Sequence, residues 1–426
     1  MRKFLKNSTA MLMVSLVLGI IFGLIMKMLP PEVYVDDIIV NGVFRLIGTG
    51  FIELIKMTVI PLVFVSLVCG ISSFGDTKKL GIVGGKTILF FLLTTVFAIA
   101  MSVTFAELVK PGEGLNMQVV SASSEYMLAE AKGIVDILLD MIPSNPVMAM
   151  SEGNLLQILV FAVFFGISLG KLSKRAEPIV DFFNIVNDCI MNIVSMVMAI
   201  APIGVFALIS NTVYSVGLDS LMGVLKLSMV VIVSLFLQST LVYGGLLKLI
   251  TKLSFKTFLK RYAKIAGVAF STSSSNATLP LSMKMMEEIG AEKSIYQFVL
   301  PVGATMNMAG TAIMQGVSAI FISQAYGINL PFQAVLTIII TALFASIGAA
   351  GVPGVGMIMM AMVLESVNLP VEGIALIIGF DRILDMIRTV VNVMGDCICT
   401  VIVSCSEGYI DREKYENIDK KLVTSK

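Results

Sequence analysis

Between Lys293 and Glu365 the chain carries no Asp, Glu, Lys or Arg. Further charge-free runs cover 57–75, 87–106, 189–218 and 227–247. A bilayer crossing takes about 20 apolar residues, and these runs supply that length several times over. Composition agrees: 57% of residues are hydrophobic and 14% charged, with a mean hydropathy of +0.95. Soluble domains carry about 25% charge. The pattern predicts an all-α membrane protein of many passes. A transmembrane β-barrel would instead show short alternating segments.

Several function classes fall away at once. Net charge is +1, so there is no basic footprint for nucleic acid. No histidine exists, which removes a histidine proton relay or a histidine-held metal. The five cysteines (Cys69, Cys189, Cys397, Cys399, Cys405) lie in or beside apolar runs without zinc or redox spacing, and read as small buried hydrophobes. The 29 methionines read as apolar filling. The segment "FGISLGKLS" (165–173) lacks the glycine spacing of a P-loop. The apolar part of "MRKFLKNSTAMLMVSLVLGIIFGLIMKML" is long and no small-residue cleavage site follows, so it reads as an uncleaved first span.

Eight spans are expected, over 10–29, 42–74, 82–108, 133–171, 181–210, 220–250, 295–326 and 371–406. Lys and Arg gather before the first span and after the second, fourth and sixth, which predicts cytoplasmic termini. Two apolar stretches remain, 256–290 and 332–366. The first is interrupted by "STSSSNATLP", the second by "SIGAAGVPGVG". Each reads as a re-entrant hairpin, because broken backbone at membrane depth survives only when buried in protein or lining a cavity. Hairpin then helix, occurring twice, predicts an inverted repeat.

The last span reads "FDRILDMIRTVVNVMGDCICT" (380–400). Asp381, Asp385, Arg388, Asn392 and Asp396 fall within an arc of roughly 80° at 100° per residue. A charge at mid-membrane costs about 2.5–3.5 kcal/mol even on an insertion scale, and such charges mark pathways or pair with one another. A pair that merely joins helices needs fewer groups than this stripe contains. Arg382 lies just off it, suited to pairing with a neighbouring carboxylate. In "PVGATMNMAGTAIMQG" (301–316), Asn307 between two glycines predicts unwound backbone, whose carbonyls suit a small hard cation. Small residues also serve close helix packing, so this motif gains its force from the hairpins and the stripe.

The segments "STSSSNATLP", "GATMNMAGTA", "GAAGVPGVG" and "DMIRTVVNVMGD", with "MIPSNPVMAMSEGNLLQILVFAVFFG", resemble in order the signatures of the glutamate/aspartate transporters, the dicarboxylate/amino acid:cation symporters of prokaryotic type. The resemblance implies a homotrimer in the inner membrane of a prokaryote, working as an elevator. Its scaffold would be 1–74 and 111–215; the moving parts would be 75–110, 216–254 and the core 255–410, with a cytoplasmic tail at 411–426. It implies an acidic amino acid (L-aspartate or L-glutamate) as substrate. Arg388 would take the side-chain carboxylate, Asp385 the ammonium, and Asn392 with backbone near Ser275 the α-carboxylate. Thr311 and Thr389 would line the pocket, and Val352 and Gly356 would belong to a gate.

Sodium is the implied coupling ion. One site would use Gly303, Asn307, Asn392 and Asp396, and a second Thr305, Met308, Ser346, Ile347 and Ala349. The third site of the family would use Thr94, Thr95 and Asn307. This chain departs from the family there: Ala309 stands where an aspartate is usual, so a weak or missing third ion is expected, with two sodium ions per substrate. Gln315 stands where animal members carry a glutamate linked to proton transport. A C4-dicarboxylate carrier or proton-coupled symporter of the same family is the nearest alternative. An ion channel would need a continuous polar pore, and an enzyme a catalytic constellation that the chain lacks.

Overall fold

The computed structural model describes residues 8–28, 34–72, 78–115, 139, 141–215, 219–348 and 354–416. Among them the chain is helical throughout, with no strand beyond one bridge between Ala291 and Ile410. In chain order the helices are α1 (Ser8–Met28), α2 (Arg45–Ser72), α3 (Lys78–Val109), α4 (Pro146–Glu152), α5 (Leu155–Lys171), α6 (Glu177–Ala199), α7 (Ala201–Ser215) and α8 (Asp219–Leu237). There follow α9 (Phe255–Thr272), α10 (Ser275–Glu288), α11 (Lys293–Met306), α12 (Ala309–Ala325), α13 (Phe332–Gly348), α14 (Val355–Glu365), α15 (Ile374–Ser406) and the short α16 (Arg412–Glu416). Two π-helical pieces, Gln238–Gly244 and Leu247–Thr251, continue α8.

Among the described residues, six stretches are long and apolar enough to cross a membrane: Ile38–Cys69, Ile82–Val109, Lys174–Ala199, Met222–Thr251, Lys293–Ala325 and Val371–Ser406. This is a multi-pass membrane protein. The expected spans 10–29 and 133–171 hold shorter apolar helices, Val14–Met28 and Gln157–Lys171. The second of these is broken by local chemistry. Asn145 caps α4 by accepting from the Val147 and Met148 N–H groups, Gly153 adopts φ +72°, and Asn154 then caps α5. The expected span 181–210 also divides, at Ile200. Pro202 has no N–H to give the Met198 carbonyl, so α6 ends and α7 starts at a bend.

Burial separates inner from outer helices. Of the apolar window in Lys293–Ala325, 94% is buried, and 83% of that in Val371–Ser406, against 17% for Lys174–Ala199. The core therefore sits around α11, α12 and α15, while α6 leaves Phe182, Ile185 and Met196 outward. Helix α1 is fixed along α7 by Gly19 and Gly23. A Cβ at Gly23 would stand 2.7 Å from the Ser210 carbonyl, and the Ser210 hydroxyl donates to the Gly19 carbonyl at 3.2 Å. Small residues four apart permit this close backbone approach.

The stretch 256–290 is a hairpin, as its sequence predicted. Helix α9 ends at Thr272, Ser273 turns the chain at φ +50°, and Ser274 caps α10 by accepting the Ala277 N–H. Both feet of the hairpin meet the same C-terminal segment. Tyr415 OH donates to the Ser254 carbonyl at 3.1 Å, while Asp411 N–H donates to the Gly290 carbonyl at 3.0 Å beside the Ala291–Ile410 bridge. The feet thus lie at one end of the bundle. Arg261 adds a hydrogen bond to the Lys414 carbonyl at 2.7 Å. The second hairpin, α13 and α14, has part of its tip outside the described residues, including Ala349 and Val352.

Tyr415 is fully buried in this clasp. Emptying a buried aromatic site costs about 3–5 kcal/mol, so Tyr415→Ala is expected to loosen the hairpin feet. Hydrogen–deuterium exchange should quicken at 254–262 and 286–291 and stay unchanged in α12. Unaltered exchange at both feet would show that the tail is a passenger.

Candidate functional site

Helix α15 carries the polar stripe into the core. Asp381, Asp385, Arg388, Thr389, Asn392 and Asp396 are all buried. Arg388, with a side chain 1% exposed, has Nη2 2.8 Å from Asp381 Oδ1 and 3.0 Å from Asp385 Oδ1. Arg382 Nη1 lies 3.7 Å from Asp385 Oδ2. These ion pairs all lie within one helix, so they do not tie helices together. Their arrangement leaves donors unused: among the described residues Arg388 Nε and Nη1 have no hydrogen-bond partner, and Asp385 Oδ2 accepts none. A buried guanidinium edge with free N–H groups is a built receptor for a carboxylate, which it binds in bidentate fashion.

The expected break in the preceding helix is present at Asn307–Met308, where φ/ψ leave helical values. Two asparagines stitch it to α15. Asn307 Nδ2 donates to Asp396 Oδ1 at 2.7 Å and to the Asn392 carbonyl at 3.1 Å. In return, Asn392 Oδ1 accepts the Gly310 N–H at 2.7 Å, and its Nδ2 reaches Met308 Sδ at 3.2 Å and Thr311 Oγ1 at 3.5 Å. Gly303 lies against the same carboxylate, since a Cβ there would stand 2.5 Å from Asp396 Oδ1. No Lys or Arg among the described residues forms an ion pair with Asp396. A buried carboxylate without a counter-charge, beside an unwound chain, fits a hard cation held by oxygen.

Gly356 closes on the guanidinium, its missing Cβ lying 3.4 Å from Arg388 Nη2 and 3.2 Å from Thr311 Cγ2. Thr389 donates to the Asp385 carbonyl at 2.8 Å. Ser275 is buried at the first tip and its carbonyl accepts the Thr278 hydroxyl. The neighbouring Asn276 lines a cavity of about 620 Å³ together with Gly354, Asp381 and Asp385. The opposite wall is α6, with Asp188 and Asn192. Asp381, Arg382 and Asp385 therefore open onto a space of the size that holds small ligands, with Arg388 paired behind the two carboxylates.

The expected ion ligands divide. Gly303, Asn307, Asn392 and Asp396 come together, as does Met308 beside Asn392. Ser346 and Ile347 line a small void with Thr95 and Met306 instead. Thr305 is exposed, its hydroxyl donating to the Val302 carbonyl at 3.0 Å. Ala349 and Val352 lie outside the described residues. Thr94 is buried on α3 and faces a different neighbourhood from Thr95: Gln238 Nε2 donates to its carbonyl at 3.2 Å. Asp381 was expected on the stripe but was given no ligand role, and Gln238 and Tyr243 were not among the expected site residues. Gln238 could have been noticed, being a lone amide in an uncharged span.

Residues 9–406 match the sodium:dicarboxylate symporter family. The chain belongs to that family. Similar relatives agree over nearly their whole length. The symporter is 35% identical to the proton/sodium-glutamate symport protein of Geobacillus stearothermophilus over 94% of this chain and 96% of that protein. It is 36% identical to the proton/glutamate-aspartate symporter of Escherichia coli strain K12, over 94% and 93%. It is 33% identical to a C4-dicarboxylate transport protein of Bacillus subtilis strain 168, over 97% and 96%. The family consists of transporters.

Proposed function

We propose that this protein is a sodium-coupled symporter of acidic amino acids, L-glutamate, L-aspartate or both. The observation that carries this reading is Arg388, buried with Nε and Nη1 unused beside an Asp385 oxygen that accepts no hydrogen bond. An acidic amino acid presents the complement, a side-chain carboxylate for the guanidinium and an ammonium for Asp385. Asn392 and the first tip at Ser275 receive the α-carboxylate. Thr311, Thr389 and Gly356 close the pocket, with Val352 in the outer gate. A C4-dicarboxylate has no ammonium, and for it Asp385 would be a repulsive neighbour.

Sodium is the coupling ion in this reading. It is held at Asp396 with Asn307, Asn392 and Gly303, and a second ion beside Met308 requires Thr305, Ser346, Ile347 and Ala349 to close around it. Eight spans and two hairpins are arranged as an inverted repeat, in a homotrimer of the prokaryotic inner membrane with both termini cytoplasmic. Segments 1–74 and 111–215 form the scaffold against which 75–110, 216–254 and 255–410 move as an elevator, and 411–426 is tail. The weak burial of α6 supports its role as scaffold facing neighbours or lipid.

Uptake by proteoliposomes, with sodium and proton gradients imposed separately, tests the reading. Inward sodium should drive glutamate and aspartate accumulation, and succinate should compete at least tenfold more weakly than glutamate. Equal competition by succinate would make this a C4-dicarboxylate carrier. Uptake driven by the proton gradient alone would remove sodium from the mechanism.

A further inference from the structure

The outer face between α3 and the continuation of α8 carries a groove of about 600 Å³ that the transport reading leaves unused. Along one wall α3 presents Leu89, Leu93 and Phe97, residues four apart that share one face of a helix. The continuation of α8 forms the opposite wall with Leu241, Gly245 and Leu249. The leucines and Phe97 are all more than half exposed. They lie in Ile82–Val109 and Met222–Thr251, two of the stretches able to cross a membrane, so hydrocarbon faces them. From Lys86 to Met101 the lined part of α3 spans about 22 Å by helical rise. That is most of the depth of a hydrocarbon core about 30 Å thick.

One end of the groove is polar and the rest is not. At the end nearest the hairpin feet, Lys86 Nζ donates to Ser406 Oγ at 3.0 Å and pairs with Glu407 Oε1. Two more lysines, Lys248 and Lys252, are exposed on either side of the lining residues Leu249 and Ile250 in the chain. Neither forms an ion pair among the described residues. They open a run from Lys248 to Lys264 that holds six basic residues and no acid. Glu407 balances Lys86, so the mouth keeps an excess of positive charge. Away from this end, Thr94 is the single polar lining group among the described residues, and its hydroxyl is spent on the Phe90 carbonyl at 2.8 Å. A hydrocarbon slot with cations at one end is complementary to an amphiphile with an anionic head. Basic pockets between transmembrane helices bind such headgroups.

We propose that this groove binds one anionic phospholipid, with an acyl chain between α3 and the continuation of α8 and the phosphate among Lys86, Lys248 and Lys252. An acyl chain is as well solvated by the bilayer as by leucine, so hydrophobic transfer does not hold it there. Selectivity comes from the ion pairs of the headgroup and from the shape of the slot. Gly245 supplies that shape. Its backbone is helical, with φ −63° and ψ −50°, and a Cβ there would meet nothing within 4 Å. A larger side chain at 245 therefore fills the groove without straining the helix. The site requires that the chain cross a membrane, and it depends on neither the substrate nor the coupling ion.

The chain contains no tryptophan, so Phe97→Trp on one wall, or Leu249→Trp on the other, gives the full-length protein a single fluorescent reporter. The protein is reconstituted in phosphatidylcholine vesicles in which a rising fraction of lipid is phosphatidylglycerol brominated on its acyl chains, a contact quencher of tryptophan. Half-maximal quenching is expected at a mole fraction at least tenfold below that needed with brominated phosphatidylcholine. Gly245→Leu should abolish this difference, and Lys248→Gln combined with Lys252→Gln should cut it to threefold or less. Equal quenching by the two lipids at both reporters overturns the proposal and leaves the groove to exchanging bulk lipid. Absence of quenching by either lipid also overturns it, since protein, such as a second copy of this chain, then covers the groove. A preference that survives Gly245→Leu puts the lipid outside the groove and overturns it as well.

Discussion

Arg388→Ala is expected to leave a protein that inserts but no longer takes up glutamate or aspartate. Truncating one partner of a buried charge pair costs roughly 2–5 kcal/mol, which corresponds to a loss of roughly 30- to 4,000-fold. The geometry puts this residue at the upper end. Arg388 stands 2.8 Å and 3.0 Å from two carboxylates, so its loss removes the proposed anchor and uncovers Asp381 and Asp385 together. The pocket then repels the anion it formerly held. Arg388→Lys should recover only part of the uptake, because a point ammonium cannot replace two parallel N–H donors. Binding of radiolabelled aspartate to protein that is monodisperse on gel filtration separates this from misfolding. Affinity within threefold of wild type in Arg388→Ala would show that the guanidinium does not hold the substrate.

Asp396→Asn is expected to have a comparable effect on the ion. Its carboxylate is buried and bonded to Asn307 Nδ2, with no ion-pair partner among the described residues. It is the carboxylate that Gly303 and Asn307 meet, and the proposed sodium site depends on it for charge. An amide keeps the shape and removes the charge that offsets the dehydration of a cation in a low-dielectric interior. Sodium dependence of uptake should move upward by at least 100-fold, with maximal binding of substrate at saturating sodium reduced much less. A sodium titration that is unchanged would place the coupling ion elsewhere in the molecule.

Legibility from sequence followed the range of the forces involved. The stripe from Asp381 to Asp396 was readable because helical spacing alone puts residues three and four apart on one face. The pairing of Arg388 with Asp385, three residues away, and of Arg382 with Asp385 came from the same local geometry. The break at Asn307–Met308 and the turn at Ser273 were readable because amides, glycines and hydroxyls compete with the helix ladder at the positions where they occur. The continuous spans 133–171 and 181–210 were misread where a single cap or proline overrode hydropathy, at Gly153–Asn154 and at Pro202. Thr94 and Thr95 are adjacent, yet they face Gln238 and Ser346 respectively, and adjacency in sequence gave no warning of that.

By itself, then, the amino-acid sequence determined that this is a helical protein of many membrane passes, with a helical stretch broken at its serine run and one charged face in its last long helix. Hydropathy, helical period and backbone preference are local properties, and each is written within a few turns of chain. Only the tertiary structure decided which donors of Arg388 remain unused, that the C-terminal segment ties both feet of the first hairpin, and that α3 and the continuation of α8 leave an apolar groove between them. Those facts depend on contacts between residues far apart in the chain, such as Tyr415 with Ser254, 161 positions away. Packing sets them, because a buried polar atom is satisfied or left open by whatever the fold brings against it.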